Sequence, residues 1–459
     1  MYEINFHSPV HVHFIGIGGI SMSGLAEILI KEGFTVSGSD AAESALTRHL
    51  AALGARIAIG QRAENITTDI DLVVYTAAIH PDNPEFAAAR DAGVPMLARA
   101  DLLGQIMRNY PTVIGVSGTH GKTTTTSMIS MILLEAKKDP TISVGGILPE
   151  IGGNIRVGHS DTFLTEACEY TNSFLSFFPT AALILNIEED HMDFFKDLQD
   201  IRNSFHRFAV LLPADGLLVL NGEIKHPEEI TEGVAARSVT YGLTGAEDYY
   251  AEDIRFGEDG GGIYELYHHT EPVGTVTLHV PGRHNISNSL AALAVSLELG
   301  IDFPTAAAGL LRFHGTERRF EYKGEVNGVT VIDDYAHHPT EIRATLKAAA
   351  DYPHRELWCV FQPHTYTRTK AFLHDFAEAL TLADHIVLAD IYAAREQNTI
   401  GISSQTLQKE IESLGKPCYY FPSFEEIEKF LLKNCMHGDM LITMGAGDVL
   451  KIGENLLSR

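Results

Sequence analysis

Twice in this chain a short apolar run rich in β-branched residues ends in a glycine turn and passes directly into a helix-length segment. The first is "VHVHFIGIGGISMSGLAEIL"; the second, from Thr112 to Leu134, is "TVIGVSGTHGKTTTTSMISMILL". A strand followed by a helix and then another strand is a crossover, and crossovers build mostly parallel sheets. The same alternation continues in "GFTVSGSD", "IDLVVYTAAI" and "GVPMLA", then in "TFLTEA", "AALILNI" and "GLLVLNG". It returns in "VTVIDDYAHHPTEI", "LWCVFQP", "HIVLADIY" and "DMLITMGAGDV". The expected fold class is therefore α/β. A chain of 459 residues is too long for one ordinary core, and three sections can be drawn, at 1–108, 109–315 and 316–459.

Charge narrows the ligands. Sixty acids against 34 bases give a formal net charge of -26, and no basic stripe interrupts it. Such a surface repels phosphate backbones, so no nucleic-acid partner is expected. A small anionic ligand must be met by glycine loops, helix N-termini and a few arginines. The four cysteines (Cys168, Cys359, Cys418, Cys435) form no CxxC pair, which suits a reducing compartment and argues against structural zinc. The N-terminus has no signal-peptide pattern, and no apolar run approaches the roughly 18 residues that span a bilayer. A cytoplasmic protein with no membrane partner is the expectation.

The second glycine turn is the richer of the two. Ser117 to Gly121 make the turn, and Lys122–Thr123–Thr124 open a helix with Met128, Ile129, Ile132 and Leu133 on one face. Backbone N–H groups wrap phosphate oxygens closely only where Cβ atoms are absent, and a helix N-terminus adds partial positive charge. Lys122 can reach the β- and γ-phosphates of a nucleotide, and the Thr123 hydroxyl can hold Mg²⁺. Val116 stands where the usual P-loop has glycine, with glycines at 115 and 118 instead. The competing reading is a glycine turn without a ligand. In the first turn, Gly16, Gly18 and Gly19 precede a helix, Ser21 takes the third glycine position, and Asp40 closes the next strand. That pattern suits a diphosphate. By itself it leaves open both NAD binding and a tight turn with no ligand.

Other strand ends carry acids, histidines and arginine. Glu166 and Glu169 follow one strand; Glu188, Glu189, Asp190, His191 and Asp193 follow another. Carboxyl ends of parallel strands border the ligand crevice, and hard oxygen donors there suit magnesium. Glu166 and His191 are read as metal ligands, Glu188 and Glu189 as a solvated acidic loop. "VIDDYAHHPTEI" ends in Asp333, Asp334 and Tyr335 before His337 and His338, and "FQPHTYTRTKAF" supplies His364, Tyr366 and Arg368. A guanidinium there can grip a carboxylate in bidentate fashion. "GRHNISNS" offers Asn285 and Asn288 to a base edge, although Asn285 also suits a helix cap.

Taken together, "GIGGISMSGLAE", "SGTHGKTTTT", "NIEEDHMD", "GRHNISN", "GTERRFE", "DDYAHHPTEI", "QPHTYTRT" and "MGAGD" resemble, in that order along the whole chain, the Mur ligase family. The resemblance implies a Rossmann-like N-terminal domain for a UDP-sugar, a central P-loop ATPase-type domain, and a C-terminal Rossmann-like α/β domain for an amino acid. It further implies that ATP phosphorylates the lactyl carboxylate of UDP-N-acetylmuramate and that an amine displaces the phosphate. Carried over by position, Gly118, Thr119, His120, Gly121, Lys122, Thr123 and Thr124 would hold ATP, with Asn285, Asn288, Arg319 and Asp334. Thr123, Glu166 and His191 would hold Mg²⁺, as one ion or two. Gly16, Gly18, Gly19, Ser21, Ser39, Asp40 and Thr76 would meet the UDP-sugar. Tyr335, His337, His364 and Arg368 would meet the amino acid. Lys122, Glu166, His191, His337 and Arg368 would carry the catalysis. Several sister ligases use a carbamoylated lysine on the helix that here reads "DLQDIRNSFHRF", with Phe205 or His206 near that place. The lysine-free pattern resembles the branch that adds L-alanine. Thr365 departs from relatives that have arginine there. Two alternatives stay open: a recycling ligase that attaches a tripeptide, and an NAD-dependent oxidoreductase fused to an NTPase domain. A non-catalytic nucleotide sensor fits less well with the full set Lys122, Thr123, Glu166 and His191.

Overall fold

His11–Ile15 is buried at every position, because a parallel strand is covered on both faces and has no solvent side to alternate toward. The computed structural model describes residues 2–458 apart from 77, 78, 193, 258, 259 and 395; Asp193 therefore lies outside the described residues. Backbone contacts divide the chain into two compact units. The first comprises Met1–Asp190, Asp197–Thr240 and Ala294–Ile301; the second comprises His191–Lys196, Tyr241–Leu293 and Asp302–Arg459.

The first unit holds a five-stranded parallel sheet in the spatial order Arg56–Ile59, Thr35–Asp40, His11–Ile15, Leu72–Tyr75, Met96–Ala98. Chain order reverses at His11–Ile15, and at such a switch point a crevice opens at the carboxyl ends of the strands. The Gly16–Gly19 turn leaves from there into the helix Ile20–Lys31. The same unit carries Leu217–Asn221, Ala181–Ile184, Thr112–Ser117, Thr162–Glu166 and Thr141–Leu148 in parallel array, with Gly153–Arg156 antiparallel beside the last. The helix Lys122–Glu135 follows Thr112–Ser117, as expected, but it is buried nearly all round rather than along one face. Its Thr125, Thr126, Ser127 and Ser130 side chains read as polar yet are small enough to sit inside. Ser130 can do so because its hydroxyl donates to the Thr126 carbonyl at 2.7 Å.

In the second unit, Tyr249–Phe256, Gly261–His268 and Glu271–Pro281 run antiparallel. The connection between the first two of these includes residues 258 and 259, which are outside the described set. A six-stranded sheet follows, in the order Glu321–Val326, Val329–Asp334, Met440–Met444, Leu357–Phe361, His385–Leu388, Cys418–Tyr420. All neighbours pair in parallel except the first two. One face packs on Ile342, Leu346, Phe376, Leu380, Leu407 and Ile411 from three helices. The other packs on Ile427, Leu431, Ile452 and Leu456 from two. Helices on both faces complete a Rossmann-like layer structure.

Candidate active site

The phosphate-type loop is held from the neighbouring strand end. Gly118 has φ +145°, and a Cβ there would lie 2.9 Å from the Leu185 Cβ, so only glycine lets the loop press against that strand. Asn186 clamps the loop: its Oδ1 accepts the His120 N–H at 2.7 Å, and its Nδ2 donates to the His120 carbonyl at 3.0 Å. The Thr119 hydroxyl accepts the Glu188 N–H at 2.9 Å. Gly121, at φ +83°, caps the helix that Lys122 begins. Residue reading missed Asn186, whose sole signal was a polar side chain directly after an apolar strand.

Lys122 is tied back into this loop. Its ammonium donates to the Gly118 carbonyl, to the Thr119 carbonyl at 3.0 Å, and to Glu169 Oε2 at 3.1 Å. Burial would lower its pKa, but the Glu169 and Glu166 carboxylates outweigh that and hold the ammonium above its ordinary range. Glu169 is only 2% exposed and is the charge partner that spacing alone did not assign. Glu166 ends its strand with Oε1 accepting the Gly145 N–H at 2.5 Å. A Cβ at 145 would stand 2.8 Å from both Glu166 oxygens, so any larger residue there would push the carboxylate aside. Thr123 is buried one residue into the helix, and Thr124 follows it. A glycine turn, a helix N-terminus and a held ammonium are the groups that meet phosphate oxygens in loops of this kind. The Thr123 hydroxyl and Glu166 carboxylate are the hard donors magnesium takes. Glu188 reaches toward His120, with 3.6 Å between Oε2 and Nε2, while Glu189 is exposed.

The first glycine loop is built at three adjacent strand ends, where Gly16, Asp40 and Thr76 follow or close their strands. The Ser39 carbonyl accepts the N–H of Gly16 at 2.8 Å and of Ile17 at 2.9 Å. Asp40 Oδ2 accepts the Gly18 N–H at 2.9 Å. The carboxylate thus occupies a donor of the kind a diphosphate oxygen would take. Gly19 is the N-cap of the following helix, and Ser21 Oγ accepts from Arg99 at 2.9 Å. Beneath the loop, Ser39 Oγ donates to Glu85 Oε2 at 2.5 Å, and Asn65 donates to the other oxygen of the same carboxylate. Glu85 is fully buried. Burial pushes its pKa up, but His13, Ser39 and Asn65 together hold it below the usual range. Glu85, Asn65 and Arg99 carried no sequence signal, being single polar residues far apart in the chain.

In the second unit, His191 has the left-handed φ of +54°, and its carbonyl accepts the Phe194 and Phe195 N–H groups. Asn285 is not a cap. Its Nδ2 donates to the Pro281 carbonyl at 2.7 Å, and its Oδ1 accepts from Asn288 at 3.1 Å, so the two amides orient each other. At the end of Val329–Asp334 the structure gathers the residues expected for the amino acid. Tyr335 and His337 lie edge-on, their ring centroids 5.3 Å apart. His337 and His364 are 5.8 Å apart, and Arg368 donates to His364 Nδ1 at 3.4 Å. The Arg319 guanidinium lies 5.2 Å from the Tyr335 centroid. Asp334 accepts the N–H groups of Phe320 and Ala336, each at 2.7 Å. Burial pushes the Asp334 carboxyl up to about 6, against the opposing pull of Arg319 and of those two N–H groups. Thr365 holds φ +64° and ψ 148°, a region nearly closed to β-branched residues, just before the short helix bearing Arg368.

With this geometry in hand, comparison with known proteins identifies counterparts along the whole chain. Residues 11–111 match the family model described as Mur ligase family, catalytic domain; 116–296 match the Mur ligase middle domain; 318–447 match the Mur ligase glutamate ligase domain. The UDP-N-acetylmuramate–L-alanine ligase of Agathobacter rectalis is 61% identical over 459 residues, covering 100% of both chains. The crystal structure of the UDP-N-acetylmuramate–alanine ligase of Thermotoga maritima superposes with a TM-score of 0.82 at 30% identity, covering 98% of each chain. A murein peptide ligase structure from Psychrobacter arcticus gives 0.71 at 26% identity, again over 98% of each.

Proposed function

This chain belongs to the Mur ligase family, and from that premise we propose that it joins L-alanine to the lactyl carboxylate of UDP-N-acetylmuramate, consuming ATP. The observation that carries this reading is the end-to-end match, at 61% identity, to a ligase of that name. A lactyl carboxylate oxygen attacks the γ-phosphorus of ATP, ADP leaves, and an acyl phosphate forms. The amine of L-alanine then attacks the acyl carbon, and phosphate departs with the original carboxylate oxygen as the amide forms. This is a peptidoglycan precursor step. Its two nucleotide substrates assign the chain to the cytoplasm, and its four cysteines are all free thiols.

Residue roles follow from chemistry within each unit. In the first, Gly118 to Thr124 cradle the triphosphate, and Lys122 exchanges its hold on Glu169 for the phosphoryl oxygens, where charge develops in transfer. Gly16, Gly18, Gly19, Ser21, Ser39, Asp40 and Thr76 receive the UDP-sugar, with Asp40 releasing the Gly18 N–H. In the second, Asn285, Asn288, Arg319 and Asp334 serve the nucleotide, and Tyr335, His337, His364 and Arg368 serve L-alanine. Magnesium, when bound, would offset the phosphate charge; within the first unit Thr123 and Glu166 would supply its oxygen ligands, and His191, in the second unit, is a nitrogen donor by its chemistry alone. The domain assignment 1–108, 109–315 and 316–459 divides these tasks as UDP-sugar, ATP and amino acid. Phosphate release measured with ATP, UDP-N-acetylmuramate and a panel of amino acids and the tripeptide tests the reading. Release that needs the sugar nucleotide and is fastest with L-alanine supports it. Preference for the tripeptide, or release without any amine, overturns it.

A further inference from the structure

The "MGAGD" stretch, Met444–Asp448, has no part in the roles assigned above, although it leaves the sheet at the Met440–Met444 strand end, between Val329–Asp334 and Leu357–Phe361. One guanidinium holds it there. Arg318 Nη2 donates to the Gly445 carbonyl at 2.6 Å and Nη1 to the Gly447 carbonyl at 3.1 Å. Its Nε donates to Asp333 Oδ2 at 3.0 Å, and Asp333 is itself 1% exposed and fixed by the Thr443 hydroxyl at 2.7 Å. The same guanidinium lies 4.9 Å from the Tyr335 ring centroid, while the Arg318 carbonyl accepts the Tyr335 N–H at 2.7 Å. Arg318 adopts the left-handed φ of +61° to do this. A planar fork with three separate acceptors is a geometric fit that a lysine ammonium cannot reproduce.

The far side of the loop is equally constrained. Gln362 Nε2 donates to Asp448 Oδ1 at 3.1 Å; that carboxylate only accepts, so it fixes which end of the amide is nitrogen. Gln362 Oε1 then faces Gly447, buried and without a hydrogen-bond partner among the described residues. A Cβ on residue 447 would lie 2.2 Å from that oxygen and 2.8 Å from the Tyr392 ring. Tyr392 in turn stacks on His364, with centroids 5.7 Å apart, and His364 is the Arg368 partner. Loop, Tyr335, Tyr392 and His364 are thus one packed arrangement, with Arg318 at its root.

We propose that Arg318 is a positioning residue that holds the Gly445–Asp448 loop as the size-selecting wall of the amino-acid site. This rests on the reading that Tyr335, His364 and Arg368 meet L-alanine. A residue acting through the wall changes how the amine substrate fits and leaves ATP and sugar-nucleotide binding alone.

Steady-state kinetics on the full chain test this with Arg318→Lys and Gly447→Ala, each checked for an unchanged thermal midpoint of its ATP-bound form. Arg318→Lys should raise KM for L-alanine by about tenfold or more and leave the other two KM values within about twofold. Its preference for L-alanine over L-serine and glycine should narrow. Gly447→Ala, whose Cβ pushes on Gln362 and Tyr392, should lose L-alanine activity more than glycine activity. Equal rises in all three KM values, or an unchanged L-alanine KM, would make Arg318 merely structural and overturn the proposal. Wild-type amino-acid ratios in Gly447→Ala would overturn it as well, even if Arg318→Lys fails to fold. A wild-type chain that ignores L-alanine would instead sink the functional reading itself.

Discussion

Lys122 is held by a carboxylate that is almost out of water, and that pairing can be tested apart from catalysis. Removing one partner of a buried ion pair leaves the other charge uncompensated, at a cost of about 3–5 kcal/mol, while removing both is far cheaper. Lys122→Ala and Glu169→Gln should each destabilise the ligand-free protein, and the double variant should be less destabilised than their sum by about 2 kcal/mol. Chemical denaturation of the four proteins measures this, and strict additivity would show that the 3.1 Å contact carries no coupling. The double variant should stay inactive, because no cation remains for the transferred phosphoryl group. Asp334 offers a second test. Its pKa rises from 3.8 unfolded to about 6 folded, so the folded state binds its proton more tightly. The penalty for a buried charge is absent below pH about 4, grows as pH rises, and is complete above pH about 6. The stability of wild type relative to Asp334→Asn should therefore fall across that window by about 2–3 kcal/mol and then level off. A difference that rises with pH would contradict the assignment. Residues of this kind were only half legible. Lys122 and Asp334 sit in motifs, but Glu169 and Glu85 acquire meaning through partners that folding brings to them. Of the adjacent pair Arg318 and Arg319, nothing in the letters says which one the loop carbonyls will capture.

At the scale of elements, the glycine loop works because a neighbouring strand end braces it. Asn186 alone supplies a donor and an acceptor to the His120 backbone. Asn186→Ala should loosen the loop without unfolding the sheet, raising KM for ATP by about thirtyfold, as loss of two hydrogen bonds of about 1 kcal/mol each implies, while KM for L-alanine stays put. Titration of each substrate at saturating levels of the others decides it; a larger effect on L-alanine would place the brace elsewhere. Strand and helix alternation was the most legible feature, since buried parallel strands read as unbroken apolar runs such as "LVVY", "AALI" and "LLVL". The helix after the loop was legible in place but not in burial, because its threonines and serines count as polar while packing as small residues. The edge strands Gly153–Arg156 and Glu321–Val326 are short or half-exposed and gave no apolar run to read.

Across the whole molecule, the reading depends on one chemical claim: the lactyl carboxylate is activated by phosphorylation before the amine arrives. The claim links a phosphate cradle in the first unit to the Tyr335, His364 and Arg368 cluster in the second without any assumption about how the units are arranged. Its oxygen bookkeeping is strict. The phosphate released must carry one oxygen that began in the carboxylate, since the amine displaces phosphate at carbon and the former carboxylate oxygen stays on phosphorus. UDP-N-acetylmuramate labelled with heavy oxygen in its lactyl carboxylate, incubated with ATP, magnesium and L-alanine, puts this to direct measurement by mass spectrometry of the phosphate. The account predicts one labelled oxygen, drawn from the carboxylate, in each phosphate formed, matched by the amide product. Unlabelled phosphate appearing alongside the amide would mean that water or another route cleaves ATP, and would contradict it.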